Sequence, residues 1–276
     1  MTEQVLLKKT KIGFIGVGNM ARAVLTGLVE SGLIPGENIF ASNRSPGKLK
    51  KLEGYKVNIC QSNEEVIENS SLVVLAMKPQ DLYDAVEPIA SSFNEDHIVM
   101  SLAAGIRTGA LKKVLPQVRN IVRVMPNTPS KVGQGVTGYC LFRPDAGLSD
   151  LIESMLQPLG MVVHAEEGEE FEALTVAASS GIGFIFELMM YWQDWIEGHG
   201  VDPAVAREMV VRTFEGASKL AASAPESHLE ELQNQVVSKK GVTYAGLTSI
   251  RELEIERALR ISFEKAVMRD RELGKS

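Results

Sequence analysis

The sequence predicts an α/β protein, with a Rossmann-type doubly wound parallel sheet followed by an all-helical C-terminal domain. Strand-like and helix-like segments alternate through the first 165 residues, a glycine-rich motif follows the first strand, and only helical patterns occur afterwards. The 276-residue chain also lies at the length where single cores stop growing. We therefore predict a dinucleotide-binding domain over 1–165 and a helical dimerisation and substrate domain over 166–276.

Composition restricts the classes of partner. A hydrophobic content of 45%, a charged content of 23% and a net charge of -6 are typical of a globular protein and disfavour binding to nucleic acid or anionic membranes. No signal-peptide pattern and no run of eighteen uncharged apolar residues occurs, so we expect a cytoplasmic protein without a membrane span. Cys60 and Cys140 are isolated, which predicts buried core thiols. Four scattered histidines give no metal-binding pattern.

The glycine-rich motif predicts a dinucleotide site. An apolar run over 12–15 precedes Gly16, Gly18 and Ala21, which have the G-x-G-x-x-A spacing. The first glycine permits a tight turn, the second lets the backbone approach a pyrophosphate, and Ala21 lets the helix pack closely. The phosphates would lie at the helix N-terminus, where unpaired N–H groups and the helix dipole stabilise an anion. The alternative is a purely structural turn.

The end of the second predicted strand indicates which cofactor is used. Strand-like residues 39–41 lead into Ser42, Asn43, Arg44 and Ser45, and no acidic residue stands where NAD enzymes bind the ribose hydroxyls. The Arg44 guanidinium can instead bind a 2′-phosphate, which selects NADP. The alternatives are a solvated loop arginine and NAD as cofactor.

Three further apolar runs, over 72–77, 97–102 and 120–125, predict buried strands that end in proline or glycine turns. Ligands in such sheets lie beyond the carboxyl ends of the strands, so these turns should face the cofactor. Small residues over 103–105 would leave room for a flat ring, or could reflect close packing.

Four strings, FIGVGNMA, LAMKPQ, SLAAGI and VRVMPNTP, resemble in order and spacing the pyrroline-5-carboxylate reductase family, which catalyses the last step of proline synthesis. The resemblance extends from Lys11 to Leu273 and implies NAD(P)H-dependent reduction of 1-pyrroline-5-carboxylate, a small cyclic imino acid, to L-proline. The cofactor contacts that it implies are Gly16, Gly18, Asn19, Met20, Ala21, Asn43, Arg44, Ser45, Ala76, Met77, Lys78, Pro79, Ala104 and Gly105.

The C-terminal part is predicted to be helical after an acidic cluster over 166–170, which suits a helix N-terminus. Residues 181–196 are apolar nearly all round, which indicates burial in a core or an interface. We expect an interface, and the resemblance implies self-association through the helical domain, as a dimer or a higher oligomer. Methionine and tryptophan residues in this segment should serve packing rather than a cofactor. The predicted helices cover 171–179, 183–198, 203–222 and 250–273.

The loop over 236–247 is the predicted substrate site. The resemblance implies that Ser238, Gly241, Val242 and Thr243 hold the carboxylate and ring nitrogen of the substrate. A small-residue loop that opens a helix also offers converging N–H donors to a carboxylate, and the Thr243 hydroxyl can bond the imine nitrogen. Ser238 could instead cap the helix. Glu226 matches a glutamate that some family members place in a proton network, or is a solvated helix-end carboxylate.

Two stretches depart from the family pattern. In the substrate loop, Lys239 and Lys240 replace Pro-Gly, and Val242 replaces a smaller or hydroxylated residue. Residues 179–183 read SSGIG in place of Gly-Ser-Gly-Pro-Ala. Two alternative functions follow: reduction of a related cyclic imino acid, and a non-catalytic regulatory paralogue that still binds a dinucleotide. The G-x-x-G-x-G-x-x-x-K motif of the β-hydroxyacid dehydrogenases does not occur.

Overall fold

A computed structural model describes residues 7–274. Contacts divide the chain into two compact units. The first extends to Ser180 and takes up the chain again from Ala266, and the second covers Gly181–Lys265. The first unit contains the sheet, and the second contains helices only.

One eight-stranded sheet organises the first unit, in the order β3-β2-β1-β4-β5-β6-β7-β8. The first six strands are parallel and have the order of a doubly wound dinucleotide-binding fold, as predicted. Strands β7 and β8 were not predicted, and β7 runs antiparallel to β6, so the sheet is mostly rather than wholly parallel. The strands are β1 Ile12–Ile15, β2 Ile39–Ser42, β3 Asn58–Ile59, β4 Leu72–Leu75, β5 Ile98–Ser101, β6 Asn120–Met125, β7 Gly135–Leu141 and β8 Gly160–His164.

Helices cover both faces of this sheet and bury two apolar clusters. One cluster holds Phe14 and Val74, and the other holds Ile15 and Val73. Because neighbouring residues of one strand point to opposite faces, each central strand serves both clusters and reads as a continuous apolar run. The helices are α1 Asn19–Glu30, α2 Pro46–Leu49, α3 Asn63–Glu68, α4 Pro79–Val86, α5 Thr108–Val114, α6 Ala146–Leu156 and α7 Glu169–Leu174.

The contact boundary falls later than the predicted boundary at 165/166. Helix α7 packs on the sheet unit through Phe171, which is fully buried, and through Glu172, which is also buried. A π-helical turn, Thr175–Ser180, follows α7, where the sequence predicted ordinary helix to 179. The chain therefore leaves the first unit at Ser180 rather than at the acidic cluster.

The second unit begins with helix α8, Gly181–Glu197, and continues with α9, Pro203–Ala222. Both were predicted, and the bounds of α9 agree with the prediction. Helix α10, Leu229–Gln235, was missed. The predicted helix over 250–273 is two helices, α11 Val242–Glu252 and α12 Ile255–Leu273, because the backbone takes a left-handed conformation at Glu254 (φ 51°). The last turns of α12 belong to the first unit.

Helix α8 has no buried residue within this chain. Phe186 is 59% exposed and Trp195 is 67% exposed, so the segment is not the core of its own unit. The run Glu169–Glu197 is also long and apolar enough, by length and composition, to cross a membrane. This finding differs from the expectation of no such helix, which counted only uninterrupted uncharged residues. The apolar surface of α8 is therefore not covered by the rest of the described chain.

Candidate active site

The glycine turn after β1 has the geometry that a dinucleotide requires. Gly16 has φ 92°, and a Cβ atom there would lie 3.1 Å from the backbone carbon and oxygen of Ala76, so only glycine fits. Gly18 is the N-cap of α1, with no side-chain capping bond and open space where its Cβ would be. No side chain therefore caps the first N–H groups of this twelve-residue helix. Of the neighbouring predicted contacts, Asn19 is exposed, Met20 is half-buried and Ala21 is buried against the core.

The turn after β2 lies against the glycine turn. The Val17 N–H donates to Asn43 Oδ1 at 2.8 Å, and the Gly16 N–H donates to the Ser42 carbonyl at 3.0 Å. Asn43 therefore fixes the glycine turn, a role that the sequence did not reveal. Arg44 and Ser45 are exposed, and Arg44 makes no ion pair or hydrogen bond within the described part of the chain. Its guanidinium is available to a ligand beside the helix N-terminus.

The ends of β4 and β5 complete the same edge of the sheet. The Ala76 N–H donates to the Ile15 carbonyl at 2.9 Å, and the Leu102 N–H donates to the Leu75 carbonyl at 3.0 Å. Ala76, Met77 and Pro79 are half-buried, whereas Lys78 is exposed at the N-cap of α4. The predicted cofactor residues of 16–105 are therefore brought together at one sheet edge, as the parallel strand order requires.

Gly105 fits the second of the two interpretations of the small residues over 103–105, which is close packing. Its φ is 76°, and a Cβ atom would lie 2.4 Å from the Asp270 carbonyl oxygen. Its missing side chain therefore serves close packing, while Ala104 packs against a small apolar cluster around Phe171. A cofactor contact by Gly105 would have to come from its backbone.

The PNTP turn after β6 is joined to two other segments. Asn127 is buried, accepts a hydrogen bond from the Val136 N–H at 3.0 Å and donates to the Ala178 carbonyl at 3.0 Å. Ser179, in a stretch that departs from the family pattern, donates to the Pro126 carbonyl at 2.8 Å. Both side chains fix the turn to the start of β7 and to the π-helical turn.

The predicted substrate loop lies in the second unit, at the start of α11. Gly241 is the N-cap, and no side chain caps this eleven-residue helix, so Ser238 does not act as its cap. A Cβ atom on residue 241 would clash with the hydroxyl oxygen of Ser238, and this close approach favours glycine at position 241. Val242 and Thr243 are exposed, and the Thr243 hydroxyl makes no hydrogen bond among residues 7–274. The loop thus offers free N–H groups and a free hydroxyl.

Lys240 stands in the left-handed region, with φ 59°, where the family pattern has glycine. The turn nevertheless closes, because the Gly241 N–H donates to the Ser238 carbonyl at 2.9 Å. A side chain in this conformation costs about 1 kcal/mol relative to glycine. Both lysines are exposed beside the open helix end, and Glu226 is exposed in the turn between α9 and α10.

Neither cysteine offers reactive chemistry. Cys60 and Cys140 are free and buried, as predicted, and burial raises the pKa of the Cys140 thiol to about 12. Within the described residues, no group of three histidine, cysteine or acidic side chains is arranged to hold a metal ion.

Two family models match the two parts of this chain. A model described as NADP oxidoreductase coenzyme F420-dependent matches residues 11–105, and a model described as pyrroline-5-carboxylate reductase dimerisation matches residues 168–273. The second match begins close to the predicted domain boundary.

Relatives match along nearly the whole length. A pyrroline-5-carboxylate reductase of Vibrio alginolyticus is 32% identical over 98% of this chain and 99% of its own. One from Haemophilus influenzae is 30% identical over 95% of this chain and 97% of its own. The solved structure of a pyrroline-5-carboxylate reductase from Coxiella burnetii is 31% identical, with a TM-score of 0.88 over 97% of this chain and 99% of that chain. An NADP-bound structure from Plasmodium falciparum, at 22% identity, has a TM-score of 0.87 over 97% of this chain and 99% of that chain, and shows the fold alone.

Proposed function

This chain belongs to the pyrroline-5-carboxylate reductase family, and from that premise we propose that it uses NADPH to reduce 1-pyrroline-5-carboxylate to L-proline. One observation carries the proposal: at both predicted sites a helix begins at a glycine with no side-chain cap, one at Gly18 and one at Gly241. The reaction needs one anion site for a pyrophosphate and another for a carboxylate. Helix N-termini with free N–H groups serve both.

The first unit supplies the cofactor site. Gly16 and Gly18 let the backbone approach the pyrophosphate, and Arg44 binds the 2′-phosphate with a charge-assisted bond. NADPH, when bound, supplies the hydride that the reaction consumes. The protein contributes placement of the cofactor and complementary charge.

The second unit supplies the substrate contacts. The backbone N–H groups at the start of α11 bind the carboxylate, and the Ser238 hydroxyl assists on the same side. The Thr243 hydroxyl bonds the ring nitrogen and so orients the neighbouring carbon. The imine carbon is already electrophilic, which makes placement more important than a strong acid.

Replacing Thr243 with valine tests this assignment, because valine keeps the shape and removes the hydroxyl. Turnover with pyrroline-5-carboxylate should fall by about ten- to a thousand-fold while NADPH affinity changes little. Thr248→Val is the matched control, since the Thr248 hydroxyl is already bonded to the Tyr244 carbonyl at 2.9 Å in the same helix. Ser238→Ala should mainly raise the KM for the imino acid. Near-normal turnover of Thr243→Val, or equal damage to cofactor binding, would refute the role.

A second candidate substrate is favoured by the two lysines beside the open end of α11. Their charge would suit a related cyclic imino acid that carries more negative charge. Turnover on five-membered and six-membered cyclic imino acids, compared in wild type and in Lys240→Gly, separates the two candidates. NADPH binding without oxidation by any cyclic imine would instead support a regulatory paralogue.

The chain self-associates, since a dimerisation family model covers 168–273. We infer that the exposed apolar face of α8 forms the subunit interface, and that this face, rather than a lipid bilayer, explains its membrane-like hydropathy. Such burial of α8 is consistent with a cytoplasmic enzyme. Partition into detergent or membranes in place of a defined oligomer would contradict this inference.

A further inference from the structure

The turn that follows β5 packs directly against the C-terminal end of α12. Besides the Asp270 carbonyl oxygen, a Cβ on Gly105 would meet the Gly274 nitrogen at 2.7 Å and the Leu273 Cβ at 2.9 Å. Backbone therefore lies on backbone, with no side chain between them. The position of this turn depends on the position of the helix end.

Two ion pairs hold the helix end in place. Arg123 Nη2 donates to Asp270 Oδ2 at 3.2 Å, and both side chains are buried. The next residue, Arg271, donates to Glu172 Oε2 at 2.7 and 2.8 Å. An acid and a base at consecutive positions, each paired with a buried partner of opposite charge, fix both the rotation and the height of the helix end. We name Arg123, Glu172, Asp270 and Arg271 the C-terminal clasp.

Residues on the other side of the turn are bound to the same region. Arg107 donates to Glu172 at 3.3 Å, and hydrogen bonds from Arg271 keep the pKa of Glu172 below its ordinary range. The Thr108 N–H and hydroxyl donate to the two carboxylate oxygens of Glu167 at 2.7 and 2.8 Å. The turn after β5 is therefore held on one side by the end of α12 and on the other by the bonds of Arg107 and Thr108.

Strand order shows which part of a dinucleotide this turn would face. The glycine turn and the end of β2 belong to the half of the fold that binds the adenosine side. The ends of β4, β5 and β6 form the other half, which receives the nicotinamide side. Among the described residues, the Asp270 side chain forms its ion pair with Arg123 and none with Arg44.

We propose that Asp270 is a positioning residue, which through Arg123 and the backbone of Gly105 holds the β5 turn in place for the nicotinamide half of the cofactor. This inference rests on the proposed function. It predicts an effect confined to the nicotinamide half, because the glycine turn and Arg44 keep their own contacts. A ligand that lacks nicotinamide, such as 2′,5′-ADP, should not sense the change.

Asp270→Asn is the test, since it removes the charge and nearly preserves the shape. The dissociation constants of NADPH and of 2′,5′-ADP are measured by fluorescence titration and by calorimetry on the full chain. NADPH binding should weaken by about ten-fold, with 2′,5′-ADP binding unchanged within about two-fold. Arg269→Ala is the matched control, because Arg269 lies beside Asp270 but, within residues 7–274, forms an ion pair only with the exposed Glu272, at 2.8 Å. It should leave both constants unchanged.

Equal weakening of both ligands would mean a general structural role and would overturn the inference, as would no change in either. If Asp270→Asn does not fold, the two dissociation constants are measured for Arg107→Ala instead, and their ratio is judged in the same way. The Arg107 guanidinium is 59% exposed, and its loss removes one hydrogen bond to Glu172. Failure of this inference can be distinguished from failure of the proposed function. Wild-type protein that oxidises no NADPH with pyrroline-5-carboxylate refutes the function, whereas the ratio of the two constants tests the clasp.

Discussion

The two units of this molecule bury their apolar side chains very differently. The first unit packs two clusters against a sheet, with residues such as Phe14, Leu25 and Leu75 almost fully buried. In the second unit, only Ala206 and Val210 are buried among the described hydrophobic residues. A set of helices with so little internal core cannot be stable by itself. The first unit is complete within one chain, and the second requires a partner surface.

Charge follows the same division. Among the described residues, ion pairs in the second unit lie at the surface and join residues three or four positions apart, as with Arg212 and Glu208. Pairs of that kind contribute little. In the first unit, Arg123–Asp270 and Arg271–Glu172 join segments far apart in sequence, each with a buried acid. The first unit uses charge to fix its own fold, whereas the second leaves its apolar faces available.

The largest effect is expected from a change that disrupts self-association through the second unit. Replacing Phe186 and Met190 on α8 with aspartate places charges on the apolar face that should meet another copy. We expect monomer or aggregate, and loss of nearly all activity, measured by sedimentation and by steady-state assay.

A matched control comes from the first unit. Ile59 and Met161 are also exposed apolar residues, on β3 and β8. Ile59→Asp with Met161→Asp should remain assembled and active. A fully active monomer of the α8 variant at assay concentration would show that α8 is not the interface.

Arg44→Ala tests the first unit, which is complete within one chain and carries the cofactor site. Loss of a charge-assisted bond, about 1.5 to 3 kcal/mol, should weaken NADPH by about ten-fold or more and leave NADH nearly unchanged. Lys48→Ala, an exposed cation in α2, is the control. The penalty should be equal in assembled protein and in the α8 variant. Equal penalties for NADPH and NADH would remove the assignment of Arg44.

The sequence predicted the central strands β1, β4, β5 and β6 well, because strands buried on both faces leave continuous apolar runs. It missed β7, which glycine and threonine interrupt, and β8, whose residues are half-buried or exposed rather than buried on both faces. The break before α12 was also missed, since Glu254 carries the left-handed turn without glycine or proline. Local pattern does not report a conformation that tertiary packing imposes.

The site shows the same limit. The glycine turn and the Thr243 loop have local signatures, and the structure shows both with open helix ends. The sequence analysis did not single out Arg123, although a charge in an apolar strand must find a partner when it is buried. Its partner Asp270 lies 147 residues away and could not be identified from one sequence. The small residues over 103–105 left both room for a ring and close packing open, and the structure shows close packing at Gly105.

The smallest expected effect concerns acid stability, and it compares one carboxylate from each unit. Hydrogen bonds from Arg271 lower the pKa of the buried Glu172, and those from Lys219 lower the pKa of Glu215, whose side chain is more exposed. A lowered pKa means stability that is present above the ordinary value of 4.5 and lost as pH falls through the lowered one. Glu172→Gln should therefore be less stable than wild type at neutral pH, and the difference should shrink below pH 4.5. Glu215→Gln should differ little from wild type, and high salt should remove that difference, because water and ions screen an exposed pair. The free energy of unfolding of each variant is measured by urea unfolding at neutral pH and below pH 4.5, at low and at high salt. Equal, salt-sensitive effects at the two positions would mean that burial does not distinguish the ion pairs of the two units.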